Sequence, residues 1–138
     1  MELSIIIPVF EEEENLPFLF QELDVALTRL PADTEIILVD DGSRDRSFAV
    51  LKEQATHDPH YVAVGFRANF GQTAAIQAGI RESRGGVLVL MDADLQNDPA
   101  DIPRLLEKIN AGSDCVSGWR KNRHDAVLTR GLPSKIAN

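Results

Sequence analysis

Two carboxylates two residues apart, with a side-chain amide two positions further on, stand at Asp92-Ala93-Asp94-Leu95-Gln96. In an extended segment, residues two apart point to the same side, so these side chains offer hard oxygen donors to one place. Mg2+ and Mn2+ take such donors and commonly bridge them to substrate phosphates. The bland alternative is a helix start, in which Asp94 or Asp98 caps a helix entered at Pro99. The group follows the apolar run Val87 to Met91. The carboxyl end of a strand is where open α/β sheets bind ligands.

A second acidic group, Asp40-Asp41-Gly42-Ser43, closes another apolar run, Glu35 to Val39. Adjacent carboxylates are costly unless they meet donors or a cation. A base or a ribose offers N–H and O–H donors that a carboxylate accepts. A turn with an Asx-type bond and a glycine at positive φ explains Gly42 and Ser43, but not the doubled acid. A third group is Pro8-Val9-Phe10-Glu11-Glu12-Glu13-Glu14. Most of its acids fit a solvated helix start favoured by the helix dipole. Glu12 is the member expected to turn inward, as an acceptor for nucleotide donors. Neither GxGxxG nor GxxxxGK[ST] nor GxSxG occurs, which leaves dinucleotide, P-loop and serine-hydrolase readings without support.

These groups need elements to hold them. Leu3 to Val9 reads as a strand buried on both faces. Leu16, Leu19, Phe20, Leu23, Ala26, Leu27 and Leu30 recur at helical spacing, with Pro31 as the stop. Glu35 to Val39 is a second strand, and Ser43 or Asp45 is placed to cap a helix that turns Phe48, Leu51 and Ala55 inward. Tyr61 to Phe66 alternates as a third strand. Gly71 to Arg84 is a helix rich in small residues, and Val87 to Met91 is a fourth strand. Ile102, Leu105, Leu106 and Ile109 mark another helix, and Asp114 to Trp119 a last strand. This alternation predicts an α/β fold, a mostly parallel doubly wound sheet flanked by helices, with ligands at the strands' carboxyl ends.

The 138 residues suit one domain with its own core. Hydrophobic residues make up 43% and charged ones 26%, the balance of an ordinary globular chain. A net charge of -8 argues against a nucleic-acid partner, which needs a basic footprint. It still allows a nucleotide, because a divalent cation neutralises a diphosphate locally. Cys115 alone cannot form an intrachain disulfide, suits a reducing cytoplasm, and is expected as a small buried core residue. His57, His60 and His124 lack zinc-like spacing and read as surface positions. No signal-peptide pattern opens the chain, and no apolar run nears the roughly 20 residues that span a bilayer. Residues 120–138 carry Arg120, Lys121, Arg123, Arg130 and Lys135 with Asp125 as the one acid. The basic charge is thus concentrated in that tail.

Taken in order, IIIPVFEEEENL, ILVDDGSRDRS, ANFGQTAAIQAGI, LVLMDADLQNDPADIPRLLEKI and DCVSGWRKNR cover nearly the whole chain. The set resembles the inverting family 2 glycosyltransferases, and more narrowly their dolichol-phosphate mannosyltransferase and bacterial polyprenyl-phosphate branch. The resemblance implies a Rossmann-like GT-A nucleotide-diphospho-sugar transferase fold, with a GT-A core over 1–119 and a basic acceptor-side segment starting at 120–138. It implies a UDP- or GDP-linked sugar donor, Mg2+ or Mn2+, and a polyprenyl phosphate acceptor at the cytoplasmic face of a membrane. Pro8, Phe10, Glu12, Asp40 and Asp41 would then surround the nucleoside, and Asp92, Ala93 and Asp94 the diphosphate. Asp94 and Gln96 would be direct metal ligands, with Asp92 beside them. Arg120 would join Asp92 and Asp94 in catalysis and reach donor or acceptor phosphates, while Arg123 and Arg130 would meet the lipid phosphate.

Two departures stand out: Phe10 replaces a common Tyr, and Glu11 a common Asn, so Glu11 receives no role. Relatives also continue past LPSKIAN into interfacial or transmembrane helices. The chain is therefore expected to be truncated and weak in turnover by itself, with exposed apolar surface through which it could pair with itself. Two alternatives remain: a saccharide acceptor, which would want a carboxylate base where only Asp125 is available, and a non-catalytic nucleotide-sugar-binding module.

Overall fold

The structure, a computed structural model, describes residues 2–118. Its sheet has four parallel strands: β1 (Leu3–Val9), β2 (Thr34–Asp40), β3 (Tyr61–Gly65) and β4 (Val87–Leu90), in spatial order β3-β2-β1-β4. The helices α1 (Leu16–Leu27), α2 (Ser47–His57) and α3 (Gln72–Glu82) connect them in turn. Strands β1 and β2 lie inside the sheet. Their apolar runs are almost completely buried because neighbours cover both edges and helices cover the faces. The doubly wound α/β architecture expected from the alternation of runs is present.

Side chains alternate across each strand, so the register decides which helix each residue meets. Ile6, Ile37 and Val39 form one buried cluster with Ala75 of α3, with Val62, Val64, Phe66 and Ala78 packed against it. Helix α3 comes close because Gly79 has no side chain; a Cβ there would lie 2.4 Å from Ile6 Cγ2. On the alternate positions of β3, the Phe48 ring of α2 fills the space beside Gly65. Tyr61 meets Phe20 of α1 edge to face at 5.6 Å and donates its hydroxyl to Asp24 Oδ1 at 2.8 Å. Helix α1 ends at Leu27, short of Pro31, where the Thr28 hydroxyl bonds the Val25 carbonyl.

The chain divides into two compact units, Met1–Ala100 and Asp101–Asn138. The expected boundary at residues 119–120 falls outside the described residues. In the second unit, α4 (Ile102–Asn110) ends in a Schellman motif, with Gly112 at φ 114° and its N–H on Ile109 O, and Ser113 N–H on Lys108 O. The strand expected at 114–119 is not formed over 114–118, and Trp119 lies outside the described residues. Cys115, expected in the core, is exposed. A strand exists only through a partner's hydrogen bonds, and between Asp114 and Gly118 only Cys115 and Val116 offer apolar surface to bury.

Candidate functional site

In the order β3-β2-β1-β4 the chain reverses direction of winding beside β1, so the carboxyl ends of β1 and β4 flank a crevice. A cavity of about 270 Å³ opens there. Pro8, Val9, Phe10 and Glu12 line it from the end of β1, and Asp92, Ala93 and Asp94 from the end of β4. Asp41 and Gln72 complete the wall. Four of these residues are acidic and none is basic. Such a lining repels an anion directly and accepts one through a cation.

The loop after β1 is held by serines of the next connection. Glu11 N–H donates to Ser43 Oγ at 2.8 Å and Glu12 N–H to Ser47 Oγ at 3.0 Å. Ser43, considered above as a helix cap, is used here instead, and Asp45 bonds the first N–H of α2 at Ser47, 2.9 Å. Burial works against the Asp45 anion, yet the Ser47 hydroxyl and N–H outweigh it and hold its carboxyl below the usual value. Glu12 does turn toward the cavity, and its Oε2 accepts Asn15 Nδ2 at 2.7 Å. Glu11 sits at φ 52°, in the left-handed region that a non-glycine residue occupies at a cost.

The doubled acid separates into two roles. Asp40 is buried and does not line the cavity; Oδ2 accepts Ser43 N–H at 3.0 Å, while Oδ1 is buried with no partner among the described residues. Leaving such an atom unsatisfied costs about 1–3 kcal/mol. The Asp41 carboxylate, expected to serve the nucleoside, is taken up by the protein. It accepts Phe70 N–H at 2.8 Å, Gly71 N–H at 3.0 Å and Asn69 Nδ2 at 3.1 Å. Asp41 thereby anchors the loop from which α3 starts, and only glycine fits at position 42, where φ is 72° and a Cβ would lie 2.3 Å from the Ala68 carbonyl carbon.

After β4 the chain makes a closed turn rather than an extended segment. Asp92 N–H donates to Asn97 Oδ1 at 2.9 Å, Gln96 N–H to Asp94 Oδ1 at 3.1 Å, and Leu95 takes φ 65°. Asp92 and Asp94 both reach the cavity, whereas Gln96 is exposed outside its lining. Gln72 Nε2 donates to Asp92 Oδ1 at 3.1 Å. Neither Gln72 nor Asn97 is marked for this site by residue type or spacing; the one signal is that Gln72 lies in ANFGQTAAIQAGI, the segment that opens α3. Arg120, Arg123 and Arg130 lie outside the described residues. Among the described residues no three His, Cys, Asp or Glu side chains converge on a metal position. Two carboxylates still fit Mg2+ or Mn2+, since these ions are commonly held by one or two carboxylates plus substrate phosphates.

The parallel sheet with its flanking helices is a fold of the GT-A type. The chain belongs to glycosyl transferase family 2, whose model matches residues 4–136. It is 48% identical over 136 residues to an undecaprenyl-phosphate 4-deoxy-4-formamido-L-arabinose transferase of Pseudomonas fluorescens, covering 98% of this chain and 40% of that protein. It is 47% identical to the protein of the same name from Pectobacterium atrosepticum, with 98% and 41% covered. The chain thus spans about two fifths of the length of these relatives. Among solved structures, S. aureus TarS 1–349 in complex with UDP-GlcNAc aligns with a TM-score of 0.68 at 18% identity, over 80% of this chain and 32% of that one. The mannosyltransferase PcManGT from Pyrobaculum calidifontis, in complex with GDP-Man and Mn2+, aligns at 0.66 and 20% identity, over 87% and 36%. Among the described residues no helix is long and apolar enough to cross a membrane.

Proposed function

We propose that this chain is the donor-binding part of an inverting, metal-assisted glycosyltransferase that moves a sugar from a UDP- or GDP-sugar to a polyprenyl phosphate at the cytoplasmic face of a membrane. The observation that carries this reading is the cavity in which Pro8, Phe10 and Glu12 meet Asp92, Ala93 and Asp94. The names of the curated relatives support a polyprenyl phosphate acceptor over a saccharide one.

Pro8 and Phe10 would flank the nucleoside, with Phe10 stacking on its base. Glu12 would accept its N–H or O–H donors, while Asp40, buried outside the lining, holds the Ser43 turn. Asp41 keeps the wall of the pocket in place. Asp92 and Asp94, with Gln96 reoriented from its exposed position, would hold Mg2+ or Mn2+, which when bound stabilises the leaving diphosphate. The acceptor phosphate is anionic at neutral pH, so attack on the anomeric carbon needs no strong general base, and positioning supplies much of the rest. Arg120 would reach the donor or acceptor phosphates, and Arg123 and Arg130 the lipid phosphate. Basic residues near an anionic membrane surface contribute about 1 kcal/mol each.

Calorimetry of UDP and GDP with and without Mn2+ tests this. One nucleoside diphosphate should bind, more tightly with Mn2+, and Asp94→Ala should abolish the enhancement. Equal binding with and without Mn2+ in the unaltered chain would overturn the metal-assisted reading. The relatives' sugar is a pentose derivative, so competition for the cavity should compare a 4-deoxy-4-formamido-L-arabinose donor with UDP- and GDP-hexoses.

A further inference from the structure

Gln72 is the first residue of α3 and lines the cavity, yet the functional reading leaves it without a task. Its side-chain amide donates to Asp92 Oδ1 at 3.1 Å, bridging residues 20 positions apart. The start of α3 is itself fixed from below. Asp41, 4% exposed, accepts the N–H groups of Phe70 and Gly71, the two residues directly before Gln72. Asn69 Nδ2 adds a third donor to the same carboxylate. Gly71 at φ 101° then turns the chain into the helix. A relay of named bonds therefore runs from buried Asp41, through the 69–71 loop, to Gln72 and so to the Asp92 carboxylate.

The geometry points to Gln72 as the positioning residue of Asp92: its amide holds one carboxylate oxygen so that the other is presented to a divalent cation, with Asp41 fixing where the amide stands. This rests on the proposed role of Asp92 and Asp94 in cation-assisted nucleotide binding. The physical reason is orientation. A carboxylate on a free χ1 and χ2 must be ordered when it ligates, and a donor on one oxygen orders it beforehand. Partners of this kind commonly change metal affinity by about 10- to 100-fold when removed. The carboxylate remains partly solvated, so the lower end of that range applies.

The test uses Gln72→Met, which keeps side-chain length and helix propensity but removes the donor, and Gln72→Asn, which keeps the amide but shortens its reach. Gln77→Met, on an exposed position of the same helix, is the control. Each is titrated with Mn2+ in the presence of the tighter-binding nucleoside diphosphate, and with that nucleotide alone, and melted without ligand. Both Gln72 variants should lose about tenfold in Mn2+ affinity. Their metal-free nucleotide affinity should fall by much less than their Mn2+ affinity, and their melting midpoint should stay within about 2 °C, as for surface substitutions. Gln77→Met should change none of these. Retention of full Mn2+ affinity by Gln72→Met overturns the inference while leaving the functional reading intact. So does an equal loss of metal-free and metal-assisted binding, which would mean that Gln72 supports the pocket as a whole. Absence of any Mn2+ effect in the unaltered chain brings down the functional reading, and with it the inference.

Discussion

Glu11 holds φ 52° at the end of the first cavity-lining segment, and its N–H is fixed to Ser43 Oγ. An L side chain in this region costs about 1–2 kcal/mol, and Asn or Gly tolerates it better. Glu11→Gly should stabilise the chain by about 1 kcal/mol in urea denaturation, because relief of strain exceeds the added freedom of the unfolded glycine. A loss of stability would show that the Arg44 ion pair, 3.4 Å long and largely exposed, matters more than the backbone. The same strain recurs at Leu95 in the 92–97 turn, where the left-handed residue reverses the chain between Asp94 and Gln96. Strain kept at such a place commonly goes with function.

Helix α3 is the element on which the site depends, since its first residue meets Asp92 and its inner face sits on β1 and β2. Glycine inside an exposed helix is normally improved by alanine, by about 1 kcal/mol. Gly79→Ala should do the reverse and destabilise by about 1–3 kcal/mol, because the new methyl would overlap Ile6 Cγ2. In a double-mutant cycle with Ile6→Ala, part of the cost should disappear, since the two residues touch. Additive effects would show that α3 moves away as a body to accommodate the methyl. That shift would also displace Gln72, and the Mn2+ titration would reveal it.

At the scale of the whole sheet, one polar clasp holds the ends of the strands away from the cavity. Glu35 on β2 accepts Ser4 Oγ at 2.6 Å and Arg84 N–H at 2.7 Å, and Ser4 Oγ in turn accepts Gly85 N–H at 2.8 Å. The clasp joins β1, β2 and the connection from α3 to β4. Burial works against the Glu35 anion, but Ser4 and the Arg84 N–H and guanidinium outweigh it, so its carboxyl lies below the usual value. A carboxyl lowered by folding stabilises above its unfolded pKa of about 4.3 and loses that contribution as pH falls through the folded value. Glu35→Gln should therefore cost about 1 kcal/mol at pH 7, with the gap narrowing below about pH 4. Urea denaturation over pH 3–8 reads this directly, and a gap independent of pH would mean that the charge contributes nothing.

The buried strands, the helices and the placing of Asp92, Asp94, Phe10 and Glu12 at strand ends were all legible in the linear order of residues. Apolar runs and their periods report burial, and burial alone forces parallel strands under helices. The division of labour between Asp40 and Asp41 was not legible. Two adjacent carboxylates look alike until the crossover through β3 brings 69–71 back beneath one of them. Nor was the partnership of Gln72 with Asp92, since no local pattern encodes a bond across 20 residues. The apolar stretch at 114–118 erred the other way: composition favoured a strand, but pairing is a property of the neighbour and not of the segment. Local sequence carries the propensity to be buried. Which polar groups then satisfy one another is decided only when distant segments share one surface.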